Sequence, residues 1–209
     1  MKRPLILIGG GGHCKSVIDV AESAGFTIMG ILDQPEKVGE EILGYKCIGT
    51  DEDIPSYVSK ADFIITVGQI KSSSLRHKIA ERVEKAGGKF ATIIAHDAYV
   101  SKHAKVEEGT VVLHKAFVNA GAKVGKNCII NSMANIEHDV RVGDFCHIST
   151  GTMVNGEAQV GSDCFVGSRS VLYNCISVCQ EVVVAAGSVV SRDITHSGIY
   201  AGNPIKFIK

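Results

Sequence analysis

A chain of 209 residues, 45% hydrophobic and 21% charged, can form one large core or two small ones, which argues against a disordered or collagen-like chain. Its 22 basic residues balance 22 acidic ones and no basic run of five or more occurs, so the electrostatic footprint of a nucleic-acid binder is absent and small-molecule chemistry is favoured. The opening apolar run is too short for a signal peptide, no stretch reaches the roughly 18 apolar residues of a membrane span, and scattered cysteines suit a reducing compartment, so the expected location is the cytoplasm.

In chain order, the apolar run at 5–8 predicts a buried strand, followed by a glycine turn and a helix over 14–24. Further strands are expected at 27–32, 62–67 and 90–94, with helices around 51–60 and over 73–86. This alternation predicts a Rossmann-like α/β domain over residues 1–92, built on a parallel sheet covered on both faces. The glycine run Gly9, Gly10, Gly11, Gly12 with His13 joins strand to helix, where free backbone N–H groups and the positive helix end suit a phosphate. Asp33, about twenty residues on, stands where a carboxylate accepts from a ribose. Lys15 occupies the place of the third glycine of the dinucleotide fingerprint, so an NAD-dependent dehydrogenase and a merely structural turn both remain open.

From residue 93 to 209 the grammar changes. Ile94, Val100, Val106, Val112 and an aliphatic residue at every sixth position up to Val190 set a fixed beat that excludes an α-helix and marks a solenoid. Two residues before each aliphatic the side chain is usually small, as at Ala116, Ala122, Cys128, Ala134, Cys146 and Cys164, so packing explains these cysteines better than nucleophilic chemistry. Val140, Ile176 and Val182 break that rule and leave the coil open to local distortion there. Gly125, Gly143, Gly161 and Gly167 follow the aliphatic, where a turning backbone is expected to use conformations closed to other residues. His96 and His114 share a hexad position and are read as solvent-facing, with no metal site expected.

This pattern, together with the segment from Val184 through Ala186, Gly187 and Tyr200 to Lys209, resembles the hexapeptide-repeat acyltransferases. The resemblance implies an all-β left-handed parallel β-helix of three hexads per coil, a homotrimer, and coenzyme A held by the closing segment. Within the repeats, Asn135, Ile136, Glu137, His138 and Asp139, followed by Gly143 to His147, resemble the sugar O- and N-acetyltransferases that include the sialic acid O-acetyltransferases and the bacillosamine- and perosamine-pathway N-acetyltransferases. In that group the histidine before an acidic residue is the general base, which implies His138 with Asp139. Imidazole titrates near working pH, and a neighbouring carboxylate fixes its tautomer. The resemblance further implies acetyl-CoA contacts at His147, Gly156, Ala186 and Gly187, with the Gly156 N–H as oxyanion donor. It also implies that Gly10, Gly11, Gly12, His13, Asp33 and Gly68 hold a nucleotide-linked amino sugar. His147 lies half a coil from His138, so a shared site requires two protomers.

The leading expectation is therefore acetyl transfer from acetyl-CoA to the amine of a nucleotide-linked sugar, for surface polysaccharide or glycan synthesis. A hydroxyl acceptor, as in sialic acid O-acetylation, and a non-catalytic nucleotide-binding assembly module are the alternatives.

Overall fold

The computed structural model describes residues 2–209 and divides into two compact units, one of residues up to 68 with 74–96, the other of 69–73 with 97–209. In the first unit the strands are β1 (Leu5–Ile8), β2 (Ile28–Leu32), β3 (Glu41–Ile42), β4 (Tyr45–Gly49) and β5 (Asp62–Ile65), in the order β3-β4-β2-β1-β5. All pairs are parallel except β3 with β4. The apolar run Leu5, Ile6, Leu7 and Ile8 is wholly buried because β1 lies between β2 and β5, the environment of a central parallel strand. Helix α1 (Gly12–Ser23) buries Cys14, Val17, Ile18 and Ala21 at helical spacing. Helix α2 (Ser74–Lys85) buries Ile79, Ala80 and Val83, together with Arg76, whose guanidinium donates to the carbonyl of Val67, two residues past β5.

Two expected elements differ and one element was not expected. The helix around 51–60 is a short 3-10 helix, Asp51–Ser56, because Pro55 sits inside it and supplies no N–H for an α-helical bond. The β3–β4 hairpin was not signalled by the sequence: its two-residue turn is Leu43-Gly44, both at positive φ (49° and 84°), and leucine is a poor signal for a turn that usually takes Asn-Gly. The strand near 90–94 shrinks to Ile93–Ile94, with Phe90 making only an isolated parallel bridge to Phe63.

The second unit is the left-handed parallel β-helix. Two-residue strands recur at each hexad and pair with the strand eighteen residues away, as Val124 with Val142 and Ile136 with Val154, so three hexads close one coil. The aliphatic of each hexad points inward: Val118, Ile130, Ile136, Ile148, Val154 and Leu172 are fully buried. Burying each contributes about 1.5–3 kcal/mol, and the stacked column forms the core of the prism. One face carries Tyr99, Phe117, Asn135, Met153, Val171 and Val189 outward, the next Lys105, Lys123, Arg141, Gln159 and Ser177. The third carries Val111, Ile129, His147 and Phe165.

The small inward position is polar as often as apolar for a reason the periodicity did not reveal. Thr110, Cys128, Cys146, Thr152, Cys164 and Ser170 each donate to the carbonyl of the residue fifteen positions on, closing the turn below the next coil. Burial pushes the Cys146 thiol well up, in keeping with a packed and unreactive group.

Two expectations about the coil are corrected. Gly125, Gly143, Gly161 and Gly167 do not adopt positive φ; they are glycine because the next coil presses on them, and a Cβ on Gly143 would lie 2.6 Å from the backbone nitrogen of Ser162. The left-handed conformation falls two residues later, at Asn127, Phe145, Asp163 and Arg169, all with φ between 52° and 64°. Nor do Val140 and Ile176 distort the coil: both are buried and the strands after them keep their register. At Val182 the larger side chain accompanies a strand lengthened to Val182–Val184, which pairs with Gly198–Ala201.

Candidate active site

The corner between the first two faces of the prism carries the catalytic candidates. His138 and Asp139 follow inward-facing Ile136, and Asp139 takes the left-handed turn position with φ 60°. That turn brings its carboxylate oxygen to 3.1 Å from His138 Nδ1, with the two side chains 53% and 63% exposed. The aspartate is long enough to reach the imidazole because the left-handed backbone folds it back on its neighbour.

One coil on, Gly156 lies under the ring. A Cβ built there would stand 2.5 Å from His138 Nε2 and 2.7 Å from Cε1, so any side chain at 156 collides with the imidazole. One coil before, a Cβ on Gly121 would collide with the Asp139 carboxylate in the same way. Two glycines at eighteen-residue offsets thus make room for the pair. Among the described residues no group accepts from the Gly156 N–H, which leaves that donor unused.

Glu137, next to the histidine, takes a hydrogen bond on each oxygen, from the Asn119 amide at 2.7 Å and the Asn135 amide at 3.0 Å. The Asn119 bond and then the Asn135 bond hold its carboxyl below the usual range, so a fixed negative charge sits beside the base. Asn135 was named only as part of the motif and Asn119 was not singled out in the sequence; Asn119 and Glu137 share one corner column, eighteen residues apart, and that offset is the signal that would have found it.

In the first unit the glycine loop is partly committed. Gly10 donates its N–H to Asp33 Oδ2 at 2.9 Å, and a Cβ there would stand 2.5 Å from that oxygen, so Gly10 serves the β1–β2 junction rather than offering a free donor. Asp33 Oδ1 accepts from the Gln34 N–H. Gly11 and Gly12 are exposed at the start of α1, and a side chain on either would meet nothing within 4 Å. Beside them a cavity of about 330 Å³ is walled by Gly9, Asp33, Thr50, Asp51, Leu75 and Arg82 among others. Asp33 is the residue expected for nucleotide binding that lines it; Gly68 instead faces His13, whose Cβ would lie 3.8 Å from a Cβ built on Gly68.

Residues 4–83 match the family described as the PglD N-terminal domain, and residues 158–192 match the hexapeptide repeat of succinyl-transferase. The acetyltransferase domain of PglB from Neisseria gonorrhoeae FA1090, solved in complex with acetyl coenzyme A, is 31% identical over 100% of both chains, with a TM-score of 0.91. PerB from Caulobacter crescentus, solved in complex with CoA and GDP-perosamine, is 28% identical over 99% of this chain and 97% of that one, also with a TM-score of 0.91. The chain belongs to the hexapeptide-repeat sugar acetyltransferases. A curated relative, the uncharacterized protein L142 of Acanthamoeba polyphaga mimivirus, is 35% identical over 103 residues, and the matched segment spans 20% of its length.

Within this acetyltransferase, the remaining expected site residues lie away from His138. Ala186 and Gly187 are exposed on the corner between the third face and the first, with Gly187 at φ 69°. His147 stands on the third face and is 9% exposed. Its Nδ1 lies 2.8 Å from the Gln69 carbonyl and its Nε2 3.0 Å from the Asn131 amide nitrogen, while Asn131 Oδ1 accepts from the Ser132 N–H. The asparagine is thereby oriented to donate, so His147 is the Nδ1–H tautomer with both nitrogens engaged, and its ring meets Phe165 edge-on at 5.2 Å. His114, read as solvent-facing, is half-buried with Nδ1 2.6 Å from Asp97 Oδ1, a carboxylate companion seventeen residues earlier that the coil brings alongside. No helix among the described residues is long and apolar enough to cross a membrane.

Proposed function

We propose that the protein transfers the acetyl group of acetyl-CoA to the amine of a nucleotide-linked amino sugar. The first unit, centred on Gly11, Gly12, His13 and Asp33, holds the nucleotide, and the β-helix carries the chemistry. The observation that supports this most is the stacked set at one corner: Asp139 on Nδ1 of His138, and Gly156, whose N–H is unused, packed close against the ring on the side of Nε2.

With Nδ1 tied to the carboxylate, Nε2 is the basic nitrogen. It takes the proton that the sugar amine loses as its nitrogen bonds to the thioester carbonyl carbon. The oxygen that becomes negative accepts from the Gly156 N–H. Collapse re-forms the carbonyl, breaks the carbon–sulfur bond and returns the proton from Nε2 to the departing thiolate of coenzyme A. The charge of the imidazolium is stabilised meanwhile by Asp139, and the ionised Glu137 lies one residue away.

The enzyme works as a homotrimer in this reading. Tyr99, Phe117, Met153, Val171 and Val189 form an outward column on the first face that is apolar except at Asn135, and Tyr99 and Met153 are 55% and 39% exposed. Packing three such faces about an axis brings the corner with Ala186 and Gly187 of one copy against the His138 corner of the next, which supplies both halves of the acetyl-CoA site. The seven unpaired cysteines suit the reducing cytoplasm.

Free thiol release from acetyl-CoA, followed with a panel of nucleotide 3-amino and 4-amino sugars and their hydroxyl counterparts, tests the reaction. Release with an amino sugar and none with the matching hydroxyl sugar is expected, and the reverse pattern defeats the proposal. Light scattering on the same sample should report a mass of three chains. Introducing Met153→Glu should yield monomers without turnover, because three carboxylates would face one another across the axis; a fully active monomer rules out the shared site.

A further inference from the structure

The cavity in the first unit has a chemistry of its own that the glycine loop does not explain. Ile8, Val67, Leu75 and Ile79 give it apolar walls against which a flat ring can lie, with Leu75 53% exposed. Against these walls stand three acids, Asp33, Asp51 and Glu52, and one base, Arg82, of which Asp51 and Arg82 are paired: Asp51 Oδ2 lies 3.4 Å from Arg82 Nη1, with the Asp51 side chain 27% exposed. Burial raises the Asp51 carboxyl, and the nearby Arg82 guanidinium only partly opposes this. A carboxylate so short of water gains more from donors supplied by a ligand than one on the open surface. Asp33 lines the same cavity, and each of its oxygens, already accepting one backbone N–H, has the capacity to accept from a ribose hydroxyl as well.

We infer that this cavity takes a guanine base, so that the acceptor sugar is carried on guanosine diphosphate, with Asp51 as the residue that determines specificity and Arg82 as its partner. This rests on the reading of the first unit as nucleotide-binding. Guanine presents two adjacent donors, N1–H and the N2 amino group, which match the two oxygens of one carboxylate, and two acceptors, O6 and N7, which suit an arginine fork. Uracil and thymine present one N–H between two carbonyls, so a carboxylate facing that edge meets at least one like-charged oxygen. Adenine and cytosine each offer a single amino group to the acid.

Calorimetric titration of the full chain with GDP, IDP, ADP, CDP and UDP reads the preference directly. GDP is expected to bind tighter than UDP by about 5- to 150-fold, the range of a good bidentate base contact. IDP, which lacks the N2 amino group, should fall about tenfold or more below GDP, because one hydrogen bond to a charged group is lost. In Asp51→Asn the advantage of GDP over IDP should vanish and binding of xanthosine diphosphate should rise above that of GDP, since its C2 carbonyl accepts from the new amide. A gain of that kind cannot come from a misfolded variant. UDP binding as tightly as GDP, or an Asp51→Asn that weakens every nucleotide equally, overturns the guanine assignment while leaving a nucleotide site standing. No binding of any diphosphate overturns both.

Discussion

Replacing His138 by alanine is expected to lower turnover about 10²- to 10⁴-fold, the usual contribution of a positioned general base. The side chain is 53% exposed and packs no core, so the thermal midpoint and the mass in solution should not change. The measurement is initial-rate thiol release at saturating acetyl-CoA, alongside acetyl-CoA binding by calorimetry, which should persist because the lost group acts on the amine. Asp139→Asn should give a smaller loss, since the imidazole survives but the carboxylate that fixes its tautomer and balances its charge does not. A His138→Ala enzyme that turns over at the original rate would remove the base from the mechanism.

Changing Gly156 to alanine should be nearly as damaging although it alters no reacting group. The added methyl would stand 2.5 Å from His138 Nε2, closer than atoms pack, and the ring is the part free to yield because it is exposed while the coil backbone is not. A displacement of about 1 Å at the base costs about 10²-fold in rate. Gly156 has no positive φ, so alanine carries no backbone penalty and the unfolding midpoint should stay close to that of the parent. Combining Gly156→Ala with His138→Ala should add little to His138→Ala alone, because the methyl acts through the ring that is already gone. Independent, multiplying losses would mean that Gly156 matters for some other reason, such as its N–H, and not for the room it leaves the histidine.

Much of this site was readable from residue spacing. The six-residue beat located the inward column of aliphatics from Val112 to Val190, all of them buried, and its multiple of eighteen governs the vertical columns that put Gly121 beside Asp139 and Gly156 beside His138. What spacing did not show was the reason for the glycines. Conformational freedom was the expected cause at Gly125, Gly143, Gly161 and Gly167, whereas contact with the next coil is the cause, because the repeat says which residues stack but not how closely the backbones approach. His147 was likewise read from its place nine residues after His138. That spacing separated the two correctly onto different parts of the prism but could not show both ring nitrogens held by Gln69 and Asn131.

The N-terminal unit divides in the same way. Alternating apolar and helical patterns determine a parallel α/β sheet, since strands buried on both faces must be apolar throughout and their connections must be helical. Local pattern carries that information because it is a property of neighbouring residues. The hairpin Glu41–Ile42 with Tyr45–Gly49, the capture of Gly10 by Asp33, and the meeting of Asp51 with Arg82 join residues 23 to 31 positions apart, or depend on a turn whose residues are poor signals for it. Periodicity determined which side chains turn inward in this protein. Which polar groups then face one another, and so what the site can bind, was decided only when the chain closed on itself.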